Sequence, residues 1–243
     1  MRRYAFHVHQ TDQASLIDDR ALASEVEHVL AQRVQELHAS GHPVRLDVLL
    51  ASNNQAGQVY ADRQARQCHS LGINHQLHAI PADATESDVL RMIDQLNADD
   101  SVTAIMVHLP LPDGIDTCRV QSWIATEKDV EGVNPANIGG VIYGRRSLVP
   151  CTALATMRLI ESTGTTLRGA EVVCVGASTI VGRPVAALLM EAEATVTSTN
   201  VHTVDLASHT RRADVVIAAA GVPGLVNGDM VRPGAVVIDV GIN

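Results

Sequence analysis

EVVCVGASTIVGRPVAALLMEA, residues 171–192, is the stretch on which the fold turns. The apolar, β-branched run EVVCV has the composition of a buried strand in a parallel sheet. It stops at Gly176, where a residue without Cβ permits a tight turn. The small Ala177 and Ser178 then let backbone N–H groups approach a pyrophosphate. Gly182 permits close helix–sheet packing, and Pro184 suits an early helix position. The helix PVAALLMEA and a second strand, TVTST (195–199), follow. A lone glycine turn is often only a tight connection. Strand, turn, helix and strand in this order point instead to a dinucleotide-binding unit.

Outward from that unit, RRADVVIAAAGVPGLV (211–226) and GAVVIDVGIN (234–243) supply two more strands. Upstream the pattern is again alternating. Residues 13–39 carry apolar residues at helical spacing and are expected to form one helix, stopped by Gly41-His42-Pro43. RLDVLLAS (45–52) reads as a strand and NNQAGQ (53–58) as a polar turn. YADRQARQCHSLG (60–72) reads as a helix ended by Gly72. A strand at 73–81, an amphipathic helix at 86–100 and a strand at 102–112 complete this half. Residues 123–140 read as irregular, and another helix begins near 149. Strands alternating with helices predict parallel α/β architecture. Two tracts with separate cores predict two domains, 1–146 and 147–243.

Composition narrows the function. Almost half the chain is apolar but only 2% is aromatic, so Val, Leu, Ile and Ala must build the core. A net charge of −9 without any Lys/Arg run argues against a nucleic-acid partner. No apolar stretch reaches membrane-spanning length, and MRRYAFHVHQTDQ lacks the apolar core of a signal peptide, so a cytoplasmic location is expected. Cys68, Cys118, Cys151 and Cys174 form no CxxC and read as reduced thiols, mostly in packing roles. The histidine pairs His7/His9 and His38/His42 have no third ligand at a familiar spacing, so no metal site is expected. Lys128 is the only lysine in the chain.

Several blocks in order carry a resemblance to a known family: VHLPLP (107–112), KDVEGVNPAN (128–137), VPCT (149–152), VGASTIVGRP (175–184), TVT (195–197), AAAGVPG (218–224) and GAVVIDVGIN (234–243). Together they resemble the methylenetetrahydrofolate dehydrogenase/cyclohydrolase family over nearly the whole chain. The resemblance implies an N-terminal α/β catalytic domain and a Rossmann-like domain with a cleft between them. It implies oxidation of 5,10-methylenetetrahydrofolate to the methenyl cation with NAD or NADP, then hydrolysis of the cation, and a homodimer joined through the Rossmann-like domain. It also implies a glycine- and proline-rich loop and a final helix after the last shared block, where this sequence ends at Asn243.

Carried over residue by residue, the resemblance assigns catalysis to Tyr60, Gln64, His108 and Glu131. It assigns substrate contacts to Gly57, Leu109, Pro110 and Asp129. Cofactor contacts fall on Gly176, Ala177, Ser178, Ile180, Val181, Thr199, Ala220, Gly221 and Ile242. Four positions depart from the family pattern. Gln64 stands where a lysine follows the tyrosine by four residues, Gly57 replaces a serine, His108 a glutamine and Glu131 an aspartate. Hydride transfer needs no proton movement, but hydrolysis is acid–base work that glutamine cannot perform. The expectation is therefore a dehydrogenase with cyclohydrolase activity lost or weak. His108 is either a replacement acid–base group or a hydrogen-bonding substitute for glutamine. Ala177 and Ser198–His202 offer no arginine to a ribose 2′-phosphate, so the expected cofactor leans to NAD. Two alternatives stand beside this reading: a retooled paralog using the same cleft for another one-carbon or imine reaction, and a non-catalytic folate- or nucleotide-binding protein.

Overall fold

The computed structural model describes residues 8–10 and 14–241. Strands β1 (Val8–Gln10) and β2 (Ser15–Ile17) pair antiparallel, with Val8 opposite Ile17. Helix α1 covers Asp19–Ala39, so the helix expected from residue 13 begins later. Ile17 explains the difference: it packs into a core formed by residues from 141 onward, which holds the segment extended. His7 of the His7/His9 pair lies outside the described residues.

Next come β3 (Arg45–Ala51), α2 (Gln55–Leu71), β4 (Asn74–Ile80), α3 (Glu86–Ala98), β5 (Ala104–Val107), α4 (Thr117–Trp123) and α5 (Pro135–Tyr143). The second series is α6 (Cys151–Ser162), β6 (Glu171–Val175), α7 (Gly182–Glu191), β7 (Thr195–Thr199), α8 (Leu206–Thr210), β8 (Val215–Ala218), a single 3₁₀ turn at Gly228–Met230, and β9 (Val236–Asp239).

Both larger sheets are parallel, as the alternating pattern predicts. One has the order β4-β3-β5 and the other β7-β6-β8-β9. Leu22–Asn137 form one compact unit, and the segments on either side of it in sequence form the other. The division thus precedes the expected 146/147 boundary. The cause lies in α5, whose Val141 is 1% exposed within the second unit's core. Within the first unit, Leu49, Ile80, Val89, Ile93, Ile105 and Val120 are fully buried between the sheet and helices α3 and α4. In the second, Val172, Cys174, Val185, Leu189, Val215 and Ile217 play the same part. The largest fully buried side chains are all aliphatic, as the composition requires.

Cys68 and Cys174 are buried, but Cys118 and Cys151 are exposed, so only half of the cysteines take the expected packing role. Among the described residues, no helix is long and apolar enough to cross a membrane.

Candidate functional site

In the first unit, α2 starts five residues before the expected Tyr60, because Asn54 caps it. The Asn54 side chain accepts from the Gly57 N–H at 2.8 Å and donates to the Leu109 carbonyl at 3.3 Å. One residue therefore ends the N-terminal turn of α2 and ties it to the loop after β5. Gly57 makes this possible. A Cβ there would stand 2.6 Å from both Asn54 Nδ2 and Leu50 Cδ1.

Tyr60 and Gln64 share a face of α2, as residues four apart must. Both meet His108 at the end of β5. The Tyr60 and His108 rings pack edge to face with centroids 5.1 Å apart. His108 Nε2 lies 3.4 Å from Gln64 Oε1, while Gln64 Nε2 donates to Met106 Sδ at 3.0 Å. The backbone N–H of His108 donates to the Leu49 carbonyl at 2.9 Å, so its position is fixed by the sheet. Burial lowers the His108 pKa, and the nearby His75 lowers it further by like charge. Leu109 and Pro110 are exposed in the loop beyond, joined by a cis peptide. Arg63 and Arg66 are exposed on α2.

KDVEG runs beside β5. Ile105 bridges to Asp129, and its N–H donates to the Lys128 carbonyl at 2.7 Å. Asp129 is fully buried, and its Oδ2 accepts from the Asn134 N–H and from Asn137 Nδ2, each at 2.8 Å. Asp129 thus anchors the NPAN segment. Two residues on, Glu131 accepts from the Val107 N–H, yet burial and then the Asp129 charge push its carboxyl up to about 7. The ammonium of Lys128 faces away from this cluster. It donates to the carbonyls of Leu96, Asn97 and Asp99 at 3.0, 2.8 and 2.8 Å, closing the C-terminus of α3. Tyr60 and Gln64 therefore both contact His108. Glu131 and Asp129 form a neighbouring acidic pair on the other edge of β5.

In the second unit the glycine turn has the expected geometry. Gly176 has φ +110°, and a Cβ on it would stand 2.6 Å from the Ala219 carbonyl oxygen. On Gly182 a Cβ would stand 2.0 Å from the Gly176 carbonyl oxygen. No side chain fits at either position. Ser178 Oγ accepts from the N–H groups of Val181 and Gly182 at 3.3 and 3.2 Å, which orders the start of α7. Arg183 Nε donates to the Ala177 carbonyl at 3.1 Å. Ile180 is exposed at the turn, whereas the Thr199 hydroxyl is buried and donates to the Cys174 carbonyl at 3.2 Å. Ala220 and Gly221 line a cavity of about 70 Å³ together with Val175, Ala218 and Asp239, at the C-terminal ends of β6, β8 and β9. Open parallel sheets bind ligands at such ends. Ile242 lies outside the described residues.

Sequence reasoning missed Met106, Asn54 and Asn137, which hold Gln64, Leu109 and Asp129 in place. Nothing in their residue types singled them out. Asn134 and Asn137 do stand in the NPAN block that carried the resemblance.

The family described as tetrahydrofolate dehydrogenase/cyclohydrolase, catalytic domain, matches residues 17–131, and its NAD(P)-binding domain matches residues 150–243. The bifunctional protein FolD of Bordetella bronchiseptica is 46% identical over 230 residues, covering 95% of this chain and 81% of that protein. The crystal structure of the bifunctional enzyme FolD, a methylenetetrahydrofolate dehydrogenase/cyclohydrolase, from Campylobacter jejuni superposes with a TM-score of 0.91 at 40% identity. It covers 93% of this chain and 80% of its own. The Trypanosoma brucei methylenetetrahydrofolate dehydrogenase-cyclohydrolase, complexed with NADP and an inhibitor, gives a TM-score of 0.89 at 34% identity over 95% of this chain and 80% of its own.

Proposed function

Because the chain belongs to the tetrahydrofolate dehydrogenase/cyclohydrolase family, we propose that it transfers hydride from 5,10-methylenetetrahydrofolate to a nicotinamide nucleotide, giving the 5,10-methenyl cation. The observation that carries this reading is the glycine turn. Both of its glycines stand where a Cβ would collide with backbone, in a chain whose two halves each match the family.

The nucleotide contributes the hydride acceptor, with Gly176, Ala177, Ser178, Ile180, Val181, Ala220 and Gly221 around it. On the folate side, Gly57, Leu109 and Pro110 shape the contact surface, and Tyr60 offers an exposed ring for stacking; Asp129, assigned to the substrate by the resemblance, is fully buried and acts only by holding the NPAN segment. Expulsion of hydride is driven by the lone pair of the adjacent folate nitrogen, so the protein's task is orientation.

Hydrolysis of the cation is the weaker activity in this reading. Gln64 holds the position where the family pattern has a titratable amine, and an amide carries no exchangeable charge. NAD is the favoured acceptor. Asn200 to Thr203 form a turn closed by Asn200 Oδ1 and Thr203 Oγ1, with no arginine in it. Arg183 is the cation beside the loop through which NADP would be accepted. The protein is expected to act in the cytoplasm as a homodimer joined through its second unit, with residues 1–146 and 147–243 as functional halves.

One observation supports a second reading, a retooled paralog. Burial pushes the Glu131 carboxyl up to about 7, so near pH 7 only about half of it is ionised, whereas the N–H donors of a pterin call for a carboxylate. The test is formation of reduced nicotinamide by purified protein with 5,10-methylenetetrahydrofolate, run separately with NAD and NADP. Turnover is expected with NAD above NADP. Tight nucleotide binding without turnover from either would remove the dehydrogenase and leave the paralog.

A further inference from the structure

We propose that His108 is the proton-transfer group for hydrolysis of the 5,10-methenyl cation, and that Gln64 is the positioning residue that sets its tautomer. The proposal rests on the reading of the substrate just given. It assigns to β5 a task that the family pattern places on α2.

The geometry runs from Met106 outward. The Met106 sulfur accepts the Gln64 amide N–H at 3.0 Å, which turns the amide oxygen toward His108 Nε2, 3.4 Å away. An amide oxygen can only accept, so the neutral imidazole carries its proton on Nε2 and keeps a lone pair on Nδ1. The ring is further fixed by the edge-to-face contact with Tyr60 and by the backbone bond to Leu49. Gln64 therefore holds the base in a reactive tautomer without itself titrating. Among the titratable groups around the ring, Tyr60 comes from α2 and His75 from β4. The carboxyl on the adjoining segment is Glu131, held by the Val107 N–H. Burial and His75 both favour the neutral ring, which is the form a base requires.

Water attacks the amidinium carbon and forms the C–O bond as His108 Nδ1 takes one water proton. This gives a neutral hydroxy adduct and an imidazolium. The imidazolium then protonates N5, the C–N5 bond breaks, and the hydroxyl proton leaves to solvent as the formyl C=O forms. One water is consumed and one proton released, and His108 ends neutral. Nothing is oxidised or reduced.

The experiment uses the whole protein and preformed 5,10-methenyltetrahydrofolate without nucleotide. The loss of methenyl absorbance is followed between about pH 5 and 8 and corrected for the uncatalysed rate. Hydrolysis is expected to fall away on acidification through an inflection below the ordinary histidine value of 6.5, distinct from the Glu131 titration at about 7. His108→Gln should remove the inflection and lower the rate by roughly 10²-fold or more. Gln64→Leu should keep an inflection but lower the rate by about tenfold, since general-base efficiency depends on the oriented lone pair. His108→Gln combined with Gln64→Lys should restore hydrolysis with its inflection moved upward. The proposal is overturned if the inflection below 6.5 survives in His108→Gln, or if the wild-type protein hydrolyses no faster than solution. Dehydrogenation of the methylene substrate is run in parallel. Its absence beside His108-dependent hydrolysis would remove the dehydrogenase reading and leave this one standing. Dehydrogenation without hydrolysis would do the reverse.

Discussion

In both parallel sheets the first strand lies in the middle, with the second on one side and the third on the other: β4-β3-β5 in one unit, β7-β6-β8 in the other. Each unit therefore has a switch point at the C-terminal end of its central strand. They differ in what occupies it. At the end of β6 the turn is made of backbone, and Gly176 and Gly182 meet carbonyl oxygens where any Cβ would be. Beyond β3 and β5 the cluster is made of side chains: Tyr60, Gln64 and His108 touch through rings and amide atoms. A site built from backbone tolerates no substitution without moving the chain. A site built from side chains can exchange one chemistry for another on the same frame.

Gly182 is the most constrained position of the turn. Gly182→Ala places a methyl 2.0 Å from a carbonyl oxygen, and neither atom is the end of a flexible side chain. A loss of about 4 kcal/mol or more is expected, with loss of nucleotide binding, because the start of α7 must swing away. Thermal unfolding and a nucleotide titration check it, and unchanged binding would show that the turn is not sterically determined. Gln64→Lys tests the opposite property of the other cluster. It should fold normally and raise the ratio of hydrolysis to dehydrogenation by roughly 10²-fold or more, because a titratable amine joins the frame.

Glu131 sharpens the contrast through pH. Its folded pKa of about 7 lies above the ordinary 4.5, so the fold binds this proton more tightly than the unfolded chain does. The associated stability is complete below about pH 4.5 and is lost as pH rises to about 7, amounting to at most roughly 3 kcal/mol. Glu131→Gln should flatten that part of the stability curve, measured by urea unfolding at several pH values. The smallest effect belongs to Gly57→Ser. Its Cβ meets side-chain atoms of Asn54 and Leu50 rather than backbone, so a cost of about 1–2 kcal/mol is expected from overpacking, with α2 intact by circular dichroism.

What could be read in the sequence follows the same division. The glycine turn was legible because its constraint is local: a missing Cβ at each end of a strand–helix junction. The helix spacing that puts Gln64 on the face of Tyr60 was legible too. What holds Gln64, the sulfur of Met106 on another element, was not, because a non-local partner leaves no mark in local spacing. Helix α5 was hidden by its two adjacent glycines and forms because Val141 finds a core to enter. The start of α1 was misplaced for a related reason, since residues 15–17 satisfy a helical period but are held extended by a strand partner. Thr199 was expected to face the cofactor, and its hydroxyl instead turns inward to a strand carbonyl.

Lys128 has a consequence of another kind. Aldehydes condense with neutral amines, and a lysine must lose a proton and present its lone pair before it can form a Schiff base. The only lysine in this chain directs its ammonium at three carbonyl oxygens and has no lone pair to present while those bonds hold. The substrate proposed here is an aminal, which forms reversibly from formaldehyde and a diamine. A protein that works beside such a compound is exposed to adventitious methylene bridging of its own side chains. This one offers no reactive lysine to trap while the last carbonyls of α3 hold the ammonium.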